Sequence, residues 1–337
     1  MDIEFHYWIT GWIARTAGFK TDEAKIIAYA SQYVDDNDIC FCIRDRNGSK
    51  NYRNFISQTM NILKPKQELM RIYPIFHFVP GDPGAKSARR RDGRVHLLNT
   101  TPDSENANKI IDEALKVSGE SRLYRIGIAS HSYVDTWAHQ NFVGWYDDFN
   151  RVGSKLLPYI GHAQAGYRPD RVAHFWTDKR LEDREISNRN RFLEAAMALF
   201  NKYCTYLKRE NGTDNSAQWK GLKESLVKVM GKDYTGHRYT CKKKRMDYYK
   251  GKVDGWLLDF SKDEWFGEAI ETCPYDELGS HEGPASHFKD QYYWKRDVDP
   301  ESTHWYRFQQ AVKEHERFAL SLLQPRFQKM GVNLKSS

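Results

Sequence analysis

The chain has 337 residues, a hydrophobic content of 40% and a formal net charge of +7. This length and content suffice for a substantial core, the apolar stretches are too short to cross a bilayer, and the chain start shows no Sec-type signal. Five scattered cysteines indicate neither a disulfide framework nor a thiolate zinc site. We therefore expect a globular protein that is cytoplasmic or exported without a Sec-type signal peptide, and its basic charge favours anionic partners.

Helices dominate the elements that the sequence predicts. The first begins at Thr21, whose acidic successors suit a first helical turn, and it ends at the carboxylates Asp35 and Asp36. A second begins at Asp103 or Ser104, where a short polar side chain precedes a run with helical periodicity. The remaining predicted helices cover 127–142, 186–208, 216–230 and the residues after 299–301.

Two long segments between these helices show no clear period. Residues 78–101 contain turn signals and a run of arginines, and residues 231–300 are rich in glycine, aspartate, histidine and aromatic residues. No repeat and no break in composition separates two domains. The sequence thus predicts one all-α domain over 1–337, a multi-helix bundle with long irregular loops, with halves of about 1–180 and 181–337.

The helix predicted over 127–142 carries three polar residues at four-residue steps, His131, Asp135 and His139. Each step turns about 40° around a helix, so the three side chains share one face, and the outer two lie about 12 Å apart at the backbone. Their neighbours are apolar or small, so this face is buried and its polar groups need partners or an ion. A stripe of hydrogen-bonded polar side chains is the simpler alternative to a metal site.

Further residues extend this pattern along the chain. The helix is followed by Gly161-His162-Ala163 and Arg168-Pro169-Asp170, and it is preceded by His6, by Asp35-Asp36 and by Phe76-His77-Phe78. Together they resemble the zinc-dependent phospholipase C and single-strand-specific nuclease superfamily over about residues 3–175. The resemblance implies a helical bundle of the zinc-dependent phospholipase C type that holds two or three zinc ions and cleaves phosphate esters.

The resemblance also implies roles for individual residues. His131, Asp135 and His77, with Asp35 or Asp36, would hold one zinc ion. Asp135 would bridge to a partner ion, and His6 would match the histidine near the chain start that binds this partner. Secreted members of the superfamily complete the partner site with a terminal amine and carbonyl. This chain starts several residues before His6, so Asp2, Glu4 or water is expected there instead.

His139 and His162 would match the two histidines of a third zinc ion. The superfamily usually places an acidic residue four positions after the second histidine, and this chain has Gly166 there. Asp170 is the nearest downstream carboxylate. We therefore expect either that Asp170 replaces the missing ligand or that the site holds two metal ions.

Imidazole and carboxylate ligands suit Zn²⁺, and clustered ions activate water and clamp a phosphate. The sequence thus predicts a metal-dependent phosphoester hydrolase in which whichever of Asp35 and Asp36 is free of metal serves as general base. Phospholipids are the favoured substrates. A nuclease or nucleotidase is the alternative within the superfamily, supported by aromatic residues and by basic runs at 89–94 and 242–245. A non-catalytic helical binding or scaffold protein with a structural metal is the alternative from another class.

Overall fold

A computed structural model of the chain describes residues 1–45, 51–61, 64, 66–153, 157–273 and 290–334. These residues form ten α-helices, which are α1 (Thr10–Ala17), α2 (Thr21–Asp36), α3 (Lys66–Ile72), α4 (Glu105–Ala114), α5 (Arg122–Ala138), α6 (Asn188–Asn211), α7 (Trp219–Met230), α8 (Lys242–Val253), α9 (Glu264–Ala269) and α10 (His304–Lys329). The strands are β1 (Cys42–Arg44), β2 (Tyr52–Arg53), β3 (Phe175–Thr177), β4 (Glu185–Ser187), β5 (Ile270–Cys273) and β6 (Gln291–Trp294). None of these helices is long and apolar enough to cross a bilayer.

The prediction of a largely helical chain is confirmed, but the strictly all-α prediction is wrong. Strands β2, β1, β6 and β5 form a mixed sheet in that order, and β3 pairs with β4 in a separate hairpin. In the larger sheet Ile43 of β1 is in parallel register with Tyr292 of β6. Strands of two to four residues give almost no alternating pattern in a sequence, and partners this far apart along the chain leave no local signal.

The helix predicted from Thr21 is confirmed. The Glu23 side chain accepts a hydrogen bond from the backbone N–H of Lys20 at 3.0 Å, which satisfies one free donor at the start of α2. The start at Ser104 is also confirmed, because its hydroxyl accepts from the Ala107 N–H at 3.3 Å and caps α4.

Two other predictions need correction. The helix predicted from 186 begins at Asn188, because Ile186 lies in β4 opposite Trp176 of β3. The irregular segment predicted over 231–300 contains α8, α9, β5 and β6, and residues 274–289 lie outside the described part of the chain. The weak hydrophobic periodicity of α8, which is rich in lysine, explains why the sequence did not indicate it.

Two segments with widened helical turns, Glu4–Ile9 and Tyr73–His77, were not predicted. Such π-helical turns are rare and concentrate at functional sites. Each of these carries a buried histidine that the sequence analysis selected, His6 in the first segment and His77 in the second. The local backbone distortion therefore coincides with the candidate site.

Helix α5 lies at the centre of the molecule and packs against α2, α4, α6 and α10. Its closest approach is to α2 at Gly127, where an added Cβ would lie 2.6 Å from the Cβ of Ala30 and 2.7 Å from the carbonyl oxygen of Ile27. Glycine at this position lets the two helix backbones approach closely. This crossing places the C-terminal end of α2 beside the polar face of α5.

Behind α5, the buried imidazole of His315 stacks on Phe76 with ring centroids 5.1 Å apart. Burial, followed by the charge of Arg125, lowers the pKa of His315 from 6.5 to about 3. His315 therefore binds a proton near pH 6.5 in the unfolded chain, whereas in the folded chain it stays neutral until the pH approaches 3. We expect His315 to have no effect on the free energy of unfolding above pH 6.5. Below that, it should lower the free energy of unfolding by about 1.4 kcal/mol per pH unit as the pH falls toward 3.

Urea unfolding of the wild type and of His315→Gln between pH 7 and pH 4 measures this contribution. The variant should lose stability less steeply with falling pH than the wild type. Equal slopes for the two proteins would show that His315 does not cause the acid sensitivity.

Candidate metal centre

Four ligand atoms from three elements converge at the crossing of α2 and α5. His131 and Asp135 lie one turn apart on α5, Asp35 lies at the end of α2, and His77 comes from the second π-helical turn. His131 Nε2 lies 3.1 Å from His77 Nδ1 and 3.2 Å from an Asp135 carboxylate oxygen. His77 Nδ1 lies 3.6 Å from that same oxygen, and Asp35 Oδ1 lies 3.7 Å from each of the two histidine nitrogens.

These distances match the size of a tetrahedral metal site. With metal–ligand bonds of 2.0–2.1 Å, a tetrahedral zinc ion holds its ligand atoms about 3.3–3.4 Å apart. The measured separations of 3.1–3.7 Å bracket this value. The ligand atoms of His77, His131 and Asp135 therefore match the spacing that one zinc ion requires, and Asp35 lies within reach of both histidine nitrogens.

The hydrogen bonds on the outer side of this cage fix which histidine nitrogens face inward. His131 Nδ1 lies 2.7 Å from the carbonyl oxygen of Ser31, and His77 Nε2 lies 2.9 Å from that of Ser57. A carbonyl only accepts, so both outer nitrogens carry hydrogen. In the neutral ring the inner nitrogens then hold lone pairs, which face each other and a carboxylate. Such an arrangement of acceptors needs a proton or a cation. Histidines that bind metal typically donate the hydrogen of their other ring nitrogen to a carbonyl or carboxylate oxygen, as both of these rings do.

A second group consists of His139, His162 and Asp170. Asp170 Oδ1 lies 3.0 Å from His139 Nε2, and Asp170 Oδ2 lies 3.3 Å from His162 Nε2. The outer Nδ1 atom of each ring again faces a carbonyl oxygen, that of His77 at 2.7 Å and that of Gly166 at 3.0 Å. The structure thus places Asp170 where a displaced acidic ligand would be needed. His139 itself lies just beyond the end of α5 and not within it.

The third group joins the chain start to Asp135. His6 Nε2 lies 3.2 Å from Asp135 Oδ1, and the His6 ring stacks on His131 with centroids 3.8 Å apart. The amino nitrogen of Met1 contacts Asp135 and lies 3.4 Å from Asp170. His6 Nδ1 has no hydrogen-bond partner among the described residues, although the ring is fully buried. Buried polar atoms without partners are costly, and a bound cation would satisfy them.

Other expected ligands lie apart from these groups. Asp36 accepts a hydrogen bond from Gln32 Nε2 at 2.8 Å and belongs to none of the three groups, so Asp35 is the carboxylate of this pair that joins the cluster. Asp2 and Glu4 also point elsewhere, toward Tyr239 and Arg245. The Met1 amine, and not Asp2 or Glu4, contacts Asp135.

The charges in the cluster favour the metal-binding forms of Asp135, His77, His162 and His6, but not that of His131. Burial opposes the charge on His131, but Asp135 and Asp35 outweigh burial and raise the pKa of this imidazole above 6.5. Burial opposes the charge on Asp135, but the neighbouring histidines and the Met1 amine outweigh burial and hold the pKa of this carboxyl well below its usual value. Burial lowers the pKa of His77 and His162 below 6.5 and that of His6 to about 3. Ionised carboxylates and neutral imidazoles are the forms that bind metal.

A cleft of about 430 Å³ opens onto all three groups. Its polar floor contains ligand atoms of the cluster, and Asp35 is 28% exposed there. Its remaining walls are largely apolar and comprise Ile3, Met60, Tyr73, Phe78, Ile160 and Ala163, with Met60 82% exposed. Among the described residues that line the cleft, none is lysine or arginine.

Fold and site together define a largely helical protein with a buried cluster of histidines and aspartates beneath an apolar cleft. Over residues 1–323 the chain matches the model of a family described as "Family of unknown function (DUF6765)", and it belongs to that family. No curated protein and no solved structure matches the chain.

Proposed function

We propose that this protein is a zinc-dependent phosphoester hydrolase that holds two or three zinc ions and acts on phospholipids. The observation that carries the proposal is the convergence of three His/Asp groups beside one cleft. In four of the histidines the outer ring nitrogen faces a carbonyl oxygen, so the other ring nitrogen is directed into the cluster. Asp135 contacts a histidine of each of the three groups, namely His6, His131 and His139, so ions bound in them would share its charge. Shared carboxylates and closely spaced sites are typical of hydrolases that use metal clusters.

The residues of the cluster have separable roles in this proposal. His77, His131, Asp35 and Asp135 would hold one ion, and His6 and Asp135 would hold a second. A third ion would lie between His139, His162 and Asp170. When bound, zinc lowers the pKa of a water molecule and polarises a phosphoryl oxygen. Asp35 is the member of the first group that is exposed in the cleft. Its Oδ1 atom faces the two histidine nitrogens, so its Oδ2 atom, free of metal, would accept the proton of the attacking water.

The cleft walls support a phospholipid substrate over a nucleic acid. Proteins bind the nucleic-acid backbone chiefly with lysine and arginine, and the described lining contains neither. Two arginines of the basic runs form ion pairs within the protein: buried Arg90 binds Asp92, and buried Arg245 binds Glu4. The apolar wall and the exposed side chain of Met60 suit the glycerol and acyl part of a lipid.

We expect the purified protein to carry two or three zinc ions per chain, because the spacing of the ligand atoms and the ring nitrogens directed into the cluster suit this metal. Elemental analysis by mass spectrometry, after purification without chelators, measures the content. His131→Gln should lose at least one ion, whereas His96→Gln should keep the wild-type content, since His96 pairs with Asp147 outside the cluster. Less than one ion per chain, with no uptake when zinc is added, would contradict the proposal and favour the scaffold alternative.

The substrate class is tested on the zinc-loaded protein with three substrates. Release of the phosphorylated head group from phosphatidylcholine and phosphatidylethanolamine vesicles is compared with cleavage of single-stranded DNA and of nucleoside monophosphates. The proposal expects turnover of lipid to exceed that of both nucleotide substrates. Preferential cleavage of single-stranded DNA would assign the nuclease function, and a zinc-loaded protein inactive on all three substrates would refute the hydrolase proposal.

A further inference from the structure

The second half of the chain contacts the segment that precedes His6. The Tyr239 hydroxyl donates a hydrogen bond of 2.5 Å to Asp2 Oδ2 and accepts one of 3.3 Å from the backbone N–H of Val172. Asp2 lies next to Met1 in the chain, and Val172 lies two residues after Asp170. One phenol hydroxyl thus connects two segments that approach the cluster from different sides and are distant in sequence.

A second contact from the same region reinforces the first. The guanidinium of Arg245 binds the Glu4 carboxylate in a two-bonded fork, with Nε 2.8 Å from Oε2 and Nη2 2.9 Å from Oε1. Its remaining nitrogen, Nη1, donates to the Thr240 carbonyl oxygen at 2.7 Å. Both side chains are almost fully buried, at 4% exposed for Arg245 and 0% for Glu4. A buried fork of this kind fixes the direction of both partners.

These contacts act on segments that carry cluster residues. Glu4 precedes His6 by two residues in the π-helical segment that leads into α1, and the backbone around Asp170 forms turns between α5 and β3. Neither segment belongs to α2 or α5, the crossing helices that carry His131, Asp135 and Asp35. The positions of His6 and Asp170 relative to Asp135 therefore depend on contacts from outside these two helices, and Tyr239 and Arg245 supply some of them.

We infer that Tyr239 and Arg245 are positioning residues that hold the segments of His6 and Asp170 against Asp135, so that the second and third metal positions form together. This inference rests on the proposed function, because it assigns a role toward the ions. The two residues make no hydrogen bond or ion pair with His77, His131 or Asp35, so the first position does not depend on them.

Tyr239→Phe tests the inference, and Tyr234→Phe is its matched control. Both changes remove one hydroxyl from neighbouring tyrosines, but no described residue hydrogen-bonds to the buried hydroxyl of Tyr234. Stepwise titration of metal-free protein with zinc against a chromophoric chelator gives the affinity of each site. Tyr239→Phe should keep one site at wild-type affinity and weaken the others by about 10–100-fold, the effect typical of groups that orient metal ligands. Tyr234→Phe should match the wild type.

Arg245→Lys supplies a second variant, because lysine keeps the charge but cannot form the fork. Hydrogen exchange of the metal-free proteins gives a readout independent of zinc, and the amides of residues 4–9 should exchange faster in Tyr239→Phe and Arg245→Lys than in Tyr234→Phe. If the wild type binds zinc but all variants have its affinities and exchange rates, the positioning role is refuted and the proposed function stands. If the wild type binds no zinc, the proposed function and the role toward the ions both fail, whatever the exchange rates.

Discussion

Replacing Asp135 by asparagine is expected to release at least two zinc ions and to lower phosphoester hydrolysis by more than about 100-fold, since losing a group that merely orients metal ligands already costs 10–100-fold. Asp135 lies within 3.2 Å of both His6 and His131 and contacts the Met1 amine. Asparagine has nearly the same shape but no charge, and one of its two terminal atoms cannot coordinate metal. The effect should exceed that of His131→Gln, because His131 serves a single ion in the proposed arrangement.

Asp112→Asn is the control for this prediction. Asp112 is a half-exposed carboxylate on α4 that pairs with Lys202, so its loss should leave metal content and turnover near those of the wild type. Elemental analysis and a phospholipid assay on both variants provide the measurement. Near-normal metal content and turnover in Asp135→Asn would show that Asp135 is only a polar helix position.

The part of the site on one helix was accessible from the sequence. His131 and Asp135 share a face because of helical periodicity alone, and the apolar residues around them indicated burial. His77 entered only through the resemblance, because its π-helical turn has no sequence pattern that predicts it. Choosing Asp35 over Asp36 required the structure, since adjacent residues at a helix end point in different directions.

Contacts between distant parts of the chain lay beyond local patterns. The contact between the Met1 amine and Asp135 joins positions 134 residues apart, and the pair of Arg245 with Glu4 joins positions 241 apart. Arg245 lies in a basic run that sequence reasoning treats as solvated or as binding an anionic ligand. Its burial against one glutamate follows from tertiary packing, which periodicity and composition do not encode.

The helices themselves were predicted where amphipathic patterns and caps agreed, as in α2 and α4. Helix α8 and the strands were not predicted, because their stability comes from packing on the rest of the molecule. Phe41, just before β1, and Phe266 of α9 both pack against Tyr292 of β6, with ring centroids 4.8 and 5.9 Å away. Such aromatic packing stabilises short strands that have little intrinsic preference of their own.

Gly127→Ala tests whether the close crossing of α2 and α5 sets the geometry of the first metal position. The added methyl group would lie 2.6 Å from the Cβ of Ala30, so the helices must separate, and overpacking of this kind costs about 1–3 kcal/mol of folding free energy. Ser31, next to Ala30, accepts the hydrogen bond of His131 Nδ1 at 2.7 Å. Separation of the helices therefore lengthens this bond and moves Asp35 away from His131, and we expect the variant to bind the first zinc ion more weakly.

Gly221→Ala is the matched control, because Gly221 lies in α7 with nothing within 4 Å of its added Cβ. Alanine is the better helix former, so this variant should be unchanged or up to about 1 kcal/mol more stable. Urea unfolding of the metal-free proteins gives the free energies, and chelator competition gives the zinc affinities. If the free energy of unfolding falls in Gly127→Ala and rises in Gly221→Ala, the loss at Gly127 is caused by the helix crossing and not by helix propensity. If Gly127→Ala lowers stability but leaves every zinc affinity unchanged, the crossing supports the fold without setting the site, and the cluster geometry is determined by the loops instead.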